Sequence, residues 1–287
     1  MSLRYLLKRI TSSQQRVYIK KIKRYILNVF QHNKAKTTLS ELRYILTHEL
    51  GLKAKDRIIV SSSFGNLHAA YSPEEVIKLL QSIVTEEGLI MMPYYPPMNS
   101  DEWAKGNHVF DMLTTKSGMG ILTNVFSKMD DVYKSKHPTK AVCAWGKEAE
   151  EIIQGHEYAT TPFYWDSPYG KLLKKGCKSL GLGLKNIPIF HAFEDVFSEN
   201  KLAYYEPMEY NLVVRTQHGI NEIVKTHIHN SHLLSKCMSA GDYVASLHCK
   251  TYKKIDFGYS YVYIIDNIEL LDVMRKMFEK GNSRLKA

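Results

Sequence analysis

The run Asp56-Arg57-Ile58-Ile59-Val60-Ser61-Ser62-Ser63, followed by Ser72-Pro73-Glu74-Glu75-Val76 and then by Gly88-Leu89-Ile90-Met91-Met92-Pro93, decides the fold class. Its first apolar stretch has the length of a buried strand and gives way to hydroxyls and a flexible turn at Phe64-Gly65. Ser72 and Pro73 open a helix. Glu75, three residues after Ser72, completes a capping box, and Val76, Leu79, Leu80 and Ile83 share one face. The second apolar stretch, Leu89 to Met92, is stopped by Pro93. Strand, crossover helix and strand make a βαβ unit, and such units place function beyond the carboxyl ends of their strands. Those ends are Ser61 to Asn66 and Pro93 to Pro97.

Outward from this unit the same alternation continues. A helix from Ser40 to Leu50 is ended by Gly51. Further helices are expected around Ile121 to Ser127, Lys147 to Gly155, Tyr169 to Lys174 and Glu269 to Phe278, and strands at Ala141 to Trp145, Ser179 to Leu184 and Tyr259 to Ile264. Apolar segments at Asn211 to Arg215 and Tyr243 to His248 complete the last third. The class is α/β.

Among 287 residues there are 39 basic and 29 acidic side chains. Ten of the basic ones, and no acidic one, fall in residues 1–36, which leaves a formally neutral remainder. A surface built throughout to hold nucleic acid is therefore not expected. From Val17 to Phe30, Tyr18, Ile22, Tyr25, Ile26 and Val29 recur at helical spacing among lysines and arginines, which predicts a basic amphipathic helix. Packing on the body or on a sister subunit in a homo-oligomer is the first expectation for it, contact with an acidic membrane surface the second and contact with nucleic acid the third. Residues 1–36 thus read as an N-terminal extension and 37–287 as the α/β domain. Four widely spaced cysteines without a CxxC pair, and a basic start not followed by an unbroken apolar core, predict a reduced, cytoplasmic chain.

His191 and Glu194 stand three residues apart after the Ser179 to Leu184 strand. On a helix that spacing puts both side chains on one face, where a neutral imidazole can take a proton from an attacking amine or hydroxyl and a carboxylate can hold its tautomer. Ordinary polar pairing of the two is the alternative. Ser61, Ser62 and Ser63 can present hydroxyls and backbone N–H groups to an anion or an amide chain, although the segment has neither the P-loop nor the dinucleotide-fingerprint spacing. His137 and His156 could each return to the same cleft. Asp101, Glu102, Asp111 and Asp166 offer carboxylates to a cationic substrate beside the aromatic residues Trp103, Phe110, Tyr164 and Trp165. His227, His229 and His232 match no sharp zinc pattern, and no metal is expected. No Gly-Xaa-Ser-Xaa-Gly elbow is present.

Taken together, the segments resemble the aminoglycoside 3-N-acetyltransferases, whose fold is unrelated to the GNAT acetyltransferases. The resemblance runs from Asp56 to Ser63, through Ser72 to Leu80 and Glu87 to Pro93. Its most specific part spans Phe110-Asp111, Gly118-Met119-Gly120, His137-Pro138-Thr139, Ala144-Trp145-Gly146 and His156. It continues through Ser167-Pro168-Tyr169-Gly170-Lys171-Leu172 and Gly181-Leu182-Gly183 to His191 and Glu194. It implies a central mixed sheet flanked by helices, acetyl-CoA as donor and co-substrate, and a small-molecule amine as acceptor. It further implies direct transfer, with His191 as general base, Glu194 assisting it, and Ser61, Ser62 and Ser63 near the thioester. His137, His156, Asp166 and Tyr94 are the residues expected on the acceptor side. The chain departs from the family at Ser61-Ser62-Ser63, where His-Ser-Ser is usual, at Leu89, at Pro93-Tyr94-Tyr95, and at Lys140-Ala141. Those departures favour another amino sugar as the expected acceptor, such as a nucleotide-linked one used in surface-glycan assembly, with an aminoglycoside, in an enzyme conferring resistance, as the alternative. A noncatalytic protein retaining the fold is the alternative of another class.

Overall fold

In the computed structural model, whose described residues are 34–198 and 202–284, the βαβ unit forms as predicted. β1 (Arg57–Ser62) and β2 (Leu89–Pro93) run parallel with Ile58 opposite Ile90, and the helix Pro73–Val84 joins them. The capping box is present. Glu75 N–H donates to Ser72 Oγ at 3.2 Å, and Ser72 N–H donates to the Glu75 carboxylate at 2.7 Å. This helix buries Val76, Ile77, Leu79, Leu80, Ile83 and Val84, each worth about 1.5–3 kcal/mol as an upper estimate.

The remaining strands are β3 (Phe110–Asp111), β4 (Tyr133–Lys134), β5 (Val142–Gly146), β6 (Lys178–Leu182), β7 (Tyr205–Arg215), β8 (Asn221–His229), β9 (Lys253–Phe257) and β10 (Ser260–Asp266). Seven of the ten form one sheet in the order β4-β5-β2-β1-β6-β10-β9, parallel at β2-β1-β6 and antiparallel elsewhere. This is the mixed sheet the resemblance implies. The side-chain period of two sorts its residues between two cores. Ile58, Val60, Ile90, Met92, Leu180, Leu182, Val262 and Ile264 face one; Ile59, Leu89, Met91, Tyr263 and Ile265 face the other. Burial on both faces explains why these strands read as continuous apolar runs.

Pro93 ends β2 rather than preceding its end. It pairs only with Val142 of β5, beyond the last β1 partner of β2, so its missing N–H leaves the central ladder intact. The expected helix from Lys147 to Gly155 contracts to Ala149–Ile153. The apolar segment at Asn211 to Arg215 is the end of the long strand β7, which pairs antiparallel with β8 and parallel with β3 in a second, three-stranded sheet. Tyr243 to His248 is instead the latter part of the helix Ala240–Ser246 and the turn after it.

Residues 1–33, including the helix expected from Val17 to Phe30, lie outside the described residues. Contacts group the chain into Met1–Lys36 and Thr37–Ala287, and the fold above is that of the second unit. Among the described residues no helix is long and apolar enough to cross a membrane.

Candidate active site

The helix Phe190–Phe197 follows β6 on the sheet face that carries Ile59 and Met91. His191 lies in its first turn and Glu194 one turn on. The i, i+3 spacing brings His191 Nδ1 to 2.9 Å from a Glu194 carboxylate oxygen. Glu194 is 1% exposed, yet its second oxygen is not idle, because the Arg284 guanidinium donates Nε to it and Nη2 to the first at 2.9 Å. Arg284 is itself buried, with Nη1 on Met238 O at 3.3 Å and its guanidinium over the Phe190 ring. Burial pushes the Glu194 carboxyl up, but the His191 and Arg284 interactions more than offset it and hold the group below its ordinary range.

For His191, burial pulls the imidazole below its ordinary value, with the Glu194 bond acting in the opposite direction. The ring is therefore neutral near pH 7. The carboxylate keeps the proton on Nδ1, which leaves the Nε2 lone pair available to take a proton. With 23% of its side chain exposed, His191 is reachable from solvent, whereas Glu194 is not.

Aromatic rings line this dyad. Phe163 and His229 lie 5.1 and 4.5 Å from the His191 ring. His229, from the end of β8, stacks between Phe163 and Tyr205, and its buried Nε2 has no hydrogen-bond partner among the described residues. Burial drives its pKa well down, and protonation of His191 would oppose a charge there further, so it too is neutral. Asp195 accepts from the Thr161 hydroxyl and from Tyr205 OH at 2.5 Å. Burial pushes its carboxyl up to about 8.

The serine turn shares this end of the sheet. Ser61 Oγ donates to Asn186 O at 3.0 Å, tying β1 to the loop that leads into the His191 helix. The hydroxyls of Ser62 and Ser63 make no hydrogen bond to described residues and are half-buried; Ser61 shares the side of Ile59 and the dyad, whereas Ser62 shares that of Ile58 and Val60. Gly183 permits the close approach beyond β6. Its φ of +77° is left-handed, and a Cβ there would meet Ser63 O at 2.7 Å.

A family model described as aminoglycoside 3-N-acetyltransferase matches residues 59–279. The chain belongs to that family. A curated relative, the SPbeta prophage-derived aminoglycoside N(3')-acetyltransferase-like protein YokD of Bacillus subtilis strain 168, is 28% identical over 170 residues, 51% of this chain and 61% of that protein. The solved structure of YokD superposes with a TM-score of 0.64 at 22% identity, covering 83% of this chain and 97% of YokD. That of AAC-IIIb in binary complex with CoASH gives 0.69 at 18% identity, over 87% and 98% of the two chains. Aminoglycoside acetyltransferase AAC(3)-Xa gives 0.73 at 16% identity, over 92% and 99%. The family is one of CoA-dependent N-acetyltransferases, and the common fold accounts for the mixed sheet.

The acceptor-side residues named from sequence are placed differently. His137 Nδ1 accepts from the backbone N–H groups of Thr139 and Lys140, and its Nε2–H donates to Thr226 Oγ1 at 3.0 Å. His156 accepts from the Ser135 hydroxyl at 2.9 Å and donates to Pro162 O at 3.2 Å. The two rings stack 4.5 Å apart and are 2% and 1% exposed, so their nitrogens brace the approach to β5 and none is left for an acceptor. Asp166 is exposed and closes a turn by accepting from the N–H and hydroxyl of Thr160. Tyr94 points away from His191. Its OH donates to Thr115 O at 2.7 Å, its ring packs edge-on against Phe110, and it is 3% exposed.

Because the chain beyond β2 stays extended, the next residue takes the other side. Tyr95 OH hydrogen-bonds Tyr169 OH at 2.7 Å, and Tyr169 packs 4.7 Å from Phe163. The sequence reading thus named the neighbour of the tyrosine that joins the aromatic wall beside His191 through Tyr169 and Phe163. It also missed Arg284 and Asp195 and left His229 unassigned. His229 carried a signal in its histidine-rich stretch; Arg284 carried none. A surface pocket of about 540 Å³, lined by Lys136, Glu157, Glu222 and others, holds none of these residues, and Lys136 is already paired with both glutamates. Among the described residues no group of three or more His, Cys, Asp or Glu is arranged to hold a metal.

Proposed function

We propose that this family member transfers acetyl from acetyl-CoA to a primary amine of an amino sugar, free or nucleotide-linked, in the cytoplasmic assembly of a surface glycan. The observation that carries this reading is the His191–Glu194–Arg284 arrangement, in which a neutral imidazole keeps Nε2 free while Nδ1 is held by a buried, charge-stabilised carboxylate. His191 Nε2 takes the proton from the amine as its nitrogen attacks the acetyl carbonyl carbon; the carbon–sulfur bond then breaks and the imidazolium returns that proton to the leaving sulfur, releasing the thiol and regenerating the neutral ring. Glu194 fixes the tautomer and stabilises the imidazolium. The Ser63 hydroxyl is a donor for the developing oxyanion, and the Ser62 hydroxyl, on the other face of β1, is one for the amides of the donor arm. Direct transfer of this kind needs both substrates together, so kinetics should be sequential, without an acetyl-enzyme in the absence of acceptor.

Acetyl-CoA-dependent thiol release across amino sugars, nucleotide-linked amino sugars and aminoglycosides tests the reading. Acceptor-dependent release is expected. CoA binding without release on any acceptor would favour the noncatalytic alternative. The names of the relatives favour an aminoglycoside acceptor instead. Against that stands the charge of the site, where Glu194 is already paired with Arg284 and burial raises the Asp195 carboxyl, favouring its neutral form, whereas a polycation is best matched by free carboxylates. Residues 1–36 are read as an extension separate from the catalytic domain 37–287. Liposome sedimentation with and without them decides between membrane contact and packing on the body or a sister subunit.

A further inference from the structure

Lys140, in the segment between His137 and β5, is half-buried, and its Nζ sits 4.5 Å from the centroid of the Tyr95 ring. Through the Tyr95–Tyr169 hydrogen bond and the Tyr169–Phe163 contact, that ring belongs to the aromatic wall that ends on His191. The Lys140 charge also lowers the pKa of both His191 and His229, so lysine and dyad share one electrostatic space. Among the described residues Nζ makes no hydrogen bond and no ion pair, and its one close partner is the ring face. A buried ammonium without a counter-charge is unfavourable, and burial pushes Lys140 down to about 8, against an attraction from Asp101 that acts without contact.

Of the other groups facing this space, Glu194 is matched by Arg284, and Asp195, whose carboxyl burial raises to about 8, bonds to Thr161 and Tyr205. Asp101 accepts from the neutral Ser231 Oγ at 2.7 Å and draws on Lys140 without contact. Lys140 Nζ is left without a contacting anion among the described residues. We propose that Lys140 is the acceptor-selecting residue and that it pairs with an anionic group on the acceptor, a phosphate or a carboxylate, while the acceptor's amine meets His191 Nε2. The proposal rests on the acetyltransferase reading and names its substrate class: an amine that carries negative charge, rather than a polycation. The Tyr95 ring face holds the ammonium in place between turnovers, and a contacting anion replaces its lost hydration with a charge-assisted hydrogen bond.

The test is calorimetric binding to the CoA-saturated protein, with glucosamine, glucosamine 6-phosphate, muramic acid and one polycationic aminoglycoside as probes, alongside thiol release from acetyl-CoA. At least one of the two anionic probes is expected to bind about ten- to a hundredfold more tightly than glucosamine. Lys140→Met should erase that preference, Lys140→Arg should keep most of it, and neither should alter CoA affinity. Which anionic probe gains shows whether phosphate or carboxylate is read. The proposal is overturned if neither anionic probe is preferred, if the preference survives Lys140→Met, or if Lys140→Met weakens CoA instead, which would place the ammonium on the donor's phosphates. Because binding is read separately from turnover, absent thiol release would sink the acetyltransferase reading without deciding this one.

Discussion

Two pairs of residues built around histidine, both deep in this protein, show what separates a support from a base. His137 and His156 stack on each other, and all four of their ring nitrogens are engaged by backbone groups and hydroxyls. His191 has one nitrogen on a carboxylate that an arginine holds in turn, and the other without a hydrogen bond to any described residue. Burial lowers the pKa in both regions, so it does not discriminate between them. The difference lies in the partner: a carboxylate both orients the ring and stabilises the imidazolium that catalysis produces, whereas carbonyls and hydroxyls only orient it.

The sharpest way to break the comparison is His191→Ala. Turnover should fall by about 10²–10⁴-fold with CoA affinity and urea midpoint nearly unchanged; a stability loss with turnover retained would put His191 in the same category as His137. Glu194→Gln comes next. It removes the charge but keeps the shape, so turnover should fall less than in His191→Ala. Stability should also fall, by about 3–5 kcal/mol, because the Arg284 guanidinium is left buried without its counter-ion. Adding Arg284→Met to that variant should recover part of the stability and none of the turnover.

His156→Ala should do the opposite, costing about 1–3 kcal/mol in urea unfolding through the groups it leaves unpaired at Ser135 and Pro162, with kcat/KM close to unchanged. The smallest effect sought is a slope. Burial first of all lowers His156 to about 3, whereas in the unfolded chain it titrates near the ordinary value of 6.5. Between those values the unfolded state binds the extra proton, so this contribution to stability is intact above 6.5 and is lost progressively as pH falls toward 3. The slope of stability against pH in that window should be shallower in His156→Ala. Activity should depend on pH through His191 instead, declining as the base is protonated below its lowered pKa.

Much of the frame was legible in the chain. The Ser72–Glu75 box, the apolar runs of β1, β2 and β6, and the His191–Glu194 spacing are all local, and local hydrogen-bond geometry is set within a turn of helix or a strand's period of two. Other features of the site were hidden for one common reason. Arg284 reaches Glu194 across ninety residues, and nothing in the composition around it marks it from any surface arginine. Tyr94 and Tyr95 are indistinguishable in sequence until the strand's pleat assigns them to opposite sides. His137 and His156 look like acceptor ligands until their nitrogens are found engaged elsewhere.

By itself, then, the sequence determined the α/β class, the βαβ unit and the placing of His191 and Glu194 one helical turn apart, since each depends on periodicity or on spacing within one element. The tertiary structure alone decided which histidine nitrogens are engaged, which tyrosine joins the aromatic wall beside His191, what stabilises Glu194 and where Lys140 stands. Those properties belong to burial and to partners brought together from distant parts of the chain, and neither exists until the two cores have closed on the sheet.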